Sequence, residues 1–137
     1  MRSLALLLLF STALFAAPVP KNKNPEPDEK RILGTWEITR AELNGKDFSK
    51  AFWEFQENKM FSRDQLDGSG GSEWVIKIDP SKSPKEVMIG DYPGIYLFDG
   101  DTLTICYRTD NTRPEKMTSE DNTYLNVLKR VASPVKK

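Results

Sequence analysis

The chain contains no histidine. That removes the commonest general base, the commonest activator of a serine or cysteine nucleophile and the commonest metal ligand together. The sequence is therefore read as that of a non-enzymatic protein, with no catalytic residues, no metal and no cofactor. Cysteine is almost as scarce. A single thiol, Cys106, cannot close an internal disulfide, so the fold has to stand on packing alone. An excess of one charge is lacking too, with 20 basic residues against 20 acidic ones in a chain of 137. A balanced surface offers neither the basic footprint that nucleic acid requires nor the polybasic cluster that holds an anionic membrane. Nor does any apolar run reach the roughly 20 residues of a spanning helix.

The longest such run, Leu4 to Phe15, is interrupted only by Ser11 and Thr12. It follows the basic Arg2 and precedes Ala16 and Ala17, the order of a secretory signal peptide. Residues 1–17 are expected to be that signal, cut after Ala16, leaving no stable membrane anchor and an extracytoplasmic (periplasmic or secreted) product. Pro18 to Lys30 carries four prolines and many charges without apolar periodicity, and reads as an extended linker. A single domain is expected over 31–131 and a short loose tail over 132–137. A domain of that size buries roughly two-thirds of its unfolded surface, enough for a modest core.

Within the domain the dominant signal is period-two alternation punctuated by turn residues. Trp36 and Ile38 alternate with Thr35, Glu37 and Thr39, and Asn44-Gly45 marks a hairpin. Trp53 and Phe55, then Met60 and Phe61, form two short segments separated by Glu57-Asn58-Lys59. Beyond the flexible stretch Asp67 to Ser72, the residues Trp74, Ile76 and Ile78 alternate with polar neighbours until Asp79-Pro80. Val87 with Ile89, Ile95 to Phe98, Thr102 to Tyr107 and Tyr124 to Arg130 complete about eight strands. No helical period competes. Short strands joined by tight turns predict an all-β antiparallel meander, which buries its edges by closing into a small barrel.

Two features resemble the lipocalins. Gly34-Thr35-Trp36, at the start of the first strand, is similar to their Gly-x-Trp, and Arg130 stands where they place an arginine over that indole. The resemblance implies that Gly34, Trp36 and Arg130 close one end of the barrel, the guanidinium contributing about 0.5–2 kcal/mol of cation–π and stacking energy. A closer resemblance is to a lipocalin-like, calycin-type domain family of uncharacterised exported proteins, best known from planctomycete bacteria. It rests on Leu33-Gly34-Thr35-Trp36, Glu42 to Lys46, Ile78-Asp79-Pro80 with Pro84, and Gly94-Ile95-Tyr96. It continues with Asp99 to Tyr107, Arg113-Pro114 and Val127 to Arg130. The resemblance implies a fold and assigns no activity.

Motifs that invite chemistry have simpler readings. Cys106 lies on the strand face opposite Leu103, Ile105 and Tyr107, with only Arg108 nearby to lower its pKa, and a free cysteine of this kind usually packs as a small hydrophobe. Gly68-Ser69-Gly70-Gly71 lacks the Lys-Ser/Thr pair and following helix of a phosphate loop. Asp64, Asp67 and Glu73 do not have the spacing of a calcium loop. Asp99-Gly100-Asp101 is a turn, and Glu37, Glu54 and Glu73 fall on polar strand faces rather than across a cleft. Arg113-Pro114 lies in a loop, where arginine can cap carbonyls, pair with an acid or clamp a ligand at a barrel rim.

The aromatics remain. Trp36, Trp53, Phe55, Trp74 and Tyr107 all fall on the expected inward face. An eight-stranded barrel either fills with side chains or keeps room for one small ligand. The expectation is a binding module for a small hydrophobic molecule, with Trp53, Phe55, Trp74 and Tyr107 as the apolar site and Arg113 as the polar group at its rim. The alternative is a structural or protein-interaction domain whose barrel is solidly filled. A space of roughly 300 Å³ or more is what a drug-sized ligand would need.

Overall fold

The alternating segments become nine strands in the computed structural model, which describes residues 26–48, 51–65 and 70–132. They are β1 (Gly34–Leu43), β2 (Lys46–Asp47), β3 (Phe52–Gln56), β4 (Lys59–Arg63), β5 (Ser72–Asp79), β6 (Glu86–Ile89), β7 (Tyr92–Asp99), β8 (Thr102–Tyr107) and β9 (Tyr124–Arg130). From β3 to β9 each strand pairs antiparallel with the next in sequence, and β9 returns to β1. Eight strands, β1 and β3 to β9, thus close a lipocalin-like up-and-down barrel. The ninth, β2, is a two-residue arm that folds back on β1 through the Asn44-Gly45 turn. The expected signal segment 1–17, most of the expected linker, the tail from 133 and Gly68-Ser69 lie outside the described residues.

Closure depends on β1, which serves two neighbours. Gly34 to Glu37 pair with β3, while Trp36 to Leu43 pair with β9. A register shift between Ile38 and Arg40 marks a bulge; a bulge bends a strand and increases its twist, which lets one strand turn a barrel corner.

The inward residues form one cluster that includes Trp36, Ile38, Trp53, Phe55, Met60, Ile76, Val87, Ile89, Tyr96, Leu103, Ile105 and Leu128. Their outward neighbours meet solvent or each other: Glu54 pairs with Arg63 at 3.1 Å and Glu73 with Lys59 at 2.9 Å. Gly94 lies inward between Tyr92 and Tyr96. A Cβ there would sit 2.4 Å from the Cys106 carbonyl oxygen, so only glycine lets β7 and β8 approach this closely.

One end of the barrel is plugged. A short helix, α1 (Asp28–Arg31), lies across it, with acidic residues in its first turn and basic ones in its last. Ile32 is buried beneath it. Asp28 accepts hydrogen bonds from the Tyr96 hydroxyl at 2.8 Å and from Lys85 Nζ at 2.7 Å. The ordered domain therefore begins at or before Asp28, inside the stretch expected as linker. Four residues are too few to show a helical period, and it is a tertiary contact that orders them.

Two further departures have physical reasons. Strand β7 starts at Tyr92 rather than Ile95. Pro93 argues against a strand, yet it points outward opposite Met88, and the ladder tolerates it. The outward side chains Ile95, Cys106 and Leu125 are buried as a second small cluster, with Met117 packed against them. The loop after β8 folds back over the outer wall to cover them. The Asn44-Gly45 turn holds that loop: Asn44 N–H donates to the Ser119 carbonyl at 2.5 Å, Gly45 N–H to Ser119 Oγ at 3.1 Å, and Asn44 Nδ2 to Asn122 Oδ1 at 2.9 Å.

Candidate functional site

Strand direction separates the two ends of the barrel. β3, β5, β7 and β9 run alternately against β1, β4, β6 and β8. Trp36, hydrogen-bonded to Ile32 and packed on Phe98, belongs to the plugged end, and Trp53, Trp74, Tyr92 and Tyr107, with Tyr124 stacked on the last, belong to the other.

The plugged end is a closure built around Trp36. Trp36 is fully buried, and its Nε1–H donates to the Ile32 carbonyl at 2.8 Å. The Arg130 guanidinium lies 4.3 Å from the indole centroid. It also donates to the carbonyls of Leu33, at 2.8 Å, and Arg31. Gly34 has φ +115°, and a Cβ there would approach Arg130 Nη1 to 3.1 Å. Glycine is thus required by the backbone angle and crowded by the arginine. Arg31 repeats the arrangement over Phe98 at 4.5 Å. Burial, then the Asp28 hydrogen bond, push the Tyr96 phenol above its ordinary range. The Trp36 indole is thus sealed in, while beside α1 a half-open cavity of about 220 Å³ is lined by Glu29, Ile32, Asn58 and Ile76 to Ile78.

The other end is an aromatic cup. A half-open cavity of about 170 Å³ is walled by Trp53, Trp74, Tyr92 and Tyr107, with Met60 and Ile89 among its apolar lining. Ser62 and Ser72, which face each other across β4 and β5, provide its hydroxyls. The rings contact one another around the rim. Trp74 lies 5.7 Å from Tyr92, and Tyr92 stacks on Tyr107 at 6.0 Å. Tyr107 in turn stacks on Tyr124 at 5.0 Å with planes 7° apart, and Trp53 closes on Tyr107 at 6.4 Å. Burial, with Tyr124 and Tyr92 alongside, pushes the Tyr107 phenol up to about 12. Such rings present apolar area and flat faces with little rotamer entropy to lose. Among the described residues, none hydrogen-bonds the Tyr92 or Tyr107 hydroxyls or the Trp53 and Trp74 indole N–H groups.

Of the residues expected at the site, Trp53, Trp74 and Tyr107 come together. Phe55 does not. It lies one inward step deeper, 2% exposed, and supports Trp53 edge-on at 6.3 Å as part of the core. Arg113 is not at the mouth either. Its guanidinium lies on the outer wall, donating to the carbonyls of Val87 at 3.1 Å and Gly94 at 2.5 Å, and pairing with Glu86 at 3.2 Å. The reason is the fold-back of its loop, which carries the arginine away from the rim. Tyr92 was legible only as the first member of the run Tyr92, Gly94, Tyr96, Phe98, a pattern masked by Pro93. The two serines carry no signal of their own.

Cys106 is fully buried in the outer cluster, and burial pushes its thiol up to about 12, the pKa of an unreactive group. Among the described residues no cluster of three or more acidic or cysteine side chains could hold a metal ion. No protein-family model matches the chain, and no curated protein matches it significantly.

Proposed function

We propose that this protein is a non-enzymatic, exported binding module of the lipocalin-like family it resembles, and that it holds one small apolar group in the mouth of its barrel. The observation that carries the reading is where packing stops. Buried side chains fill the middle of the barrel up to Met60 and Ile89, and above them four aromatic residues surround space instead of filling it. The space limits the occupant. At about 170 Å³ it is below the roughly 300 Å³ of a drug-sized site, and close to the roughly 150 Å³ cavity that admits a single benzene. The cup therefore suits one ring or the end of one apolar chain, not an enclosed retinoid or fatty acid.

A ring that buries about 150 Å² gains on the order of 4 kcal/mol, a Kd on the order of 1 mM. Titration with toluene, followed by tryptophan emission and by NMR shifts of Trp53 and Trp74 indole N–H signals, tests the reading. Saturable shifts confined to the cup are expected, and Trp74→Ala should remove them. No shift at saturating toluene would leave a structural or protein-interaction domain as the better account. Export rests on the Arg2, Leu4–Phe15, Ala16-Ala17 pattern. N-terminal sequencing of the protein from its host should begin at or near Ala17, and recovery of Met1 would refute it.

A further inference from the structure

The rings that wall the cup are not a random draw from the barrel's aromatics. Phe55 and Phe98 pack in the core and against it. Among the described residues no phenylalanine lines the cavity, whose four rings belong to Trp53, Trp74, Tyr92 and Tyr107. For plain hydrocarbon a phenyl ring serves as well as any other. Indole and phenol add a polar tip, and indole offers the ring face that attracts a cation best. The wall is also curved. Trp74 is tilted 42° to Tyr92, Tyr92 lies 13° from Tyr107, and Tyr107 is tilted 42° to Trp53. Such a wall meets a round guest from several sides at once.

Charge around the mouth points the same way. Among the described residues the cavity lining holds no charged side chain. Two arginines stand next to lining residues in the chain, and each is matched by an acid. Arg63, after Ser62, pairs with Glu54 at 3.1 Å, and Arg108, after Tyr107, pairs with Asp110. Asp91, exposed in the turn just before Tyr92, adds a carboxylate beside the rim. A primary ammonium entering the cup would find only the hydroxyls of Ser62 and Ser72 for its N–H donors. Burying a charge without such partners is costly. A quaternary ammonium has no N–H to satisfy, and its charge is spread over a shell of methyl groups.

Resting on the reading of the mouth as a cup for one small apolar group, we propose that this group is the methyl shell of a quaternary ammonium, and that Trp53, Trp74, Tyr92 and Tyr107 form an aromatic cage for it. A trimethylammonium group is close to benzene in size, so it suits the same space of about 170 Å³. The open side of the cup leaves its fourth substituent in solvent. A free cation such as choline and the phosphocholine headgroup of a lipid carry the same group.

The test compares choline with its neutral isostere, in which a tert-butyl group replaces the trimethylammonium. Both are titrated into the full chain, with sodium chloride holding ionic strength constant, and followed by NMR shifts of the Trp53 and Trp74 indole N–H signals. Choline should bind about tenfold tighter than the isostere, and its N-methyl protons should move upfield, as protons held over ring faces do. Ethanolamine, a cation with N–H donors, should bind about tenfold weaker than choline. Trp74→Leu keeps an apolar wall and should abolish the preference for choline over the isostere. Phosphatidylcholine vesicles separate the two sources: displacement of choline by them places the headgroup in the cup, and no displacement assigns the cup to the free cation. Equal affinity for choline and the isostere would overturn the cage while leaving the apolar cup intact. Equal affinity for choline and ethanolamine would show that rim carboxylates, not rings, attract the cation, and would overturn the cage as well. Failure of choline, the isostere and toluene alike to bind would overturn the cup and the cage together. If Trp74→Leu does not fold, the ratio of choline to isostere affinity in the native protein decides alone.

Discussion

Arginine 130 gives the sharpest test of how the barrel is closed. Replacing it with alanine removes the guanidinium stacked 4.3 Å from the Trp36 ring centroid and the hydrogen bonds to the carbonyls of Leu33 and Arg31. The side chain is partly exposed, so each contribution belongs at the low end of its range. Stacking contributes about 0.5–1 kcal/mol, and each hydrogen bond a similar amount. The loss comes to about 2 kcal/mol. For a domain of this size that lowers Tm by roughly 8–16 °C. The assay is thermal unfolding followed by near-ultraviolet circular dichroism, since Trp36 is held rigidly in the core. Arg130→Lys keeps the charge but not the planar fork, and should recover less than half of the loss. Arg130→Met keeps the apolar stem alone. A Tm for Arg130→Ala within about 2 °C of the parent, or an Arg130→Met as stable as the parent, would refute the reasoning. The second result would show that the stem, not the guanidinium, closes the barrel.

Trp36→Ala should cost roughly 3–5 kcal/mol in urea unfolding, the usual range for truncating a core tryptophan, because Trp36 is fully buried at the plug. Asp28→Ala should cost about 1–3 kcal/mol by the same measurement, since it leaves the buried Tyr96 hydroxyl without its acceptor. Cys106 should resist a thiol reagent such as dithionitrobenzoate in the folded protein at about pH 8 and react fully in denaturant. Stability should fall as pH rises above about 9. The folded state raises Cys106 from an ordinary value of 9.0 to about 12 and Tyr107 from 10.0 to about 12, so the stability of the neutral forms is complete below the ordinary values and lost as pH passes through the folded ones. Cys106→Ala should flatten the earlier part of that decline, and an unchanged profile in both Cys106→Ala and Tyr107→Phe would contradict it.

Much of the wall could be read from the residues. Period-two alternation is a local property, imposed on any strand with one buried face, so Trp36, Trp53, Phe55, Trp74 and Tyr107 could be assigned inward without coordinates. The Asn44-Gly45 and Gly100 turns are local too, because they depend on backbone angles within two or three residues. The closure by Gly34, Trp36 and Arg130 was accessible through resemblance. What sequence alone left open depended on contacts between distant residues. Alternation tells which face a side chain takes but not how far along the barrel it sits. Phe55 and Trp53 therefore look equivalent in sequence, and only the packing, with Trp53 against Tyr107 in the cavity wall and Phe55 buried beneath, puts one in the cup and the other in the core. Loop position alone puts Arg113 near the rim, and only the fold-back over Ile95, Cys106 and Leu125 shows where the chain goes next. The helix at Asp28 is ordered by Lys85 and Tyr96, residues that lie far along the chain. Sequence determined the strands, their faces and the identity of the rings. Tertiary structure alone decided where the packed core ends and the 170 Å³ cup begins, because a cavity is a shortfall of volume among side chains from many strands and no single segment encodes it.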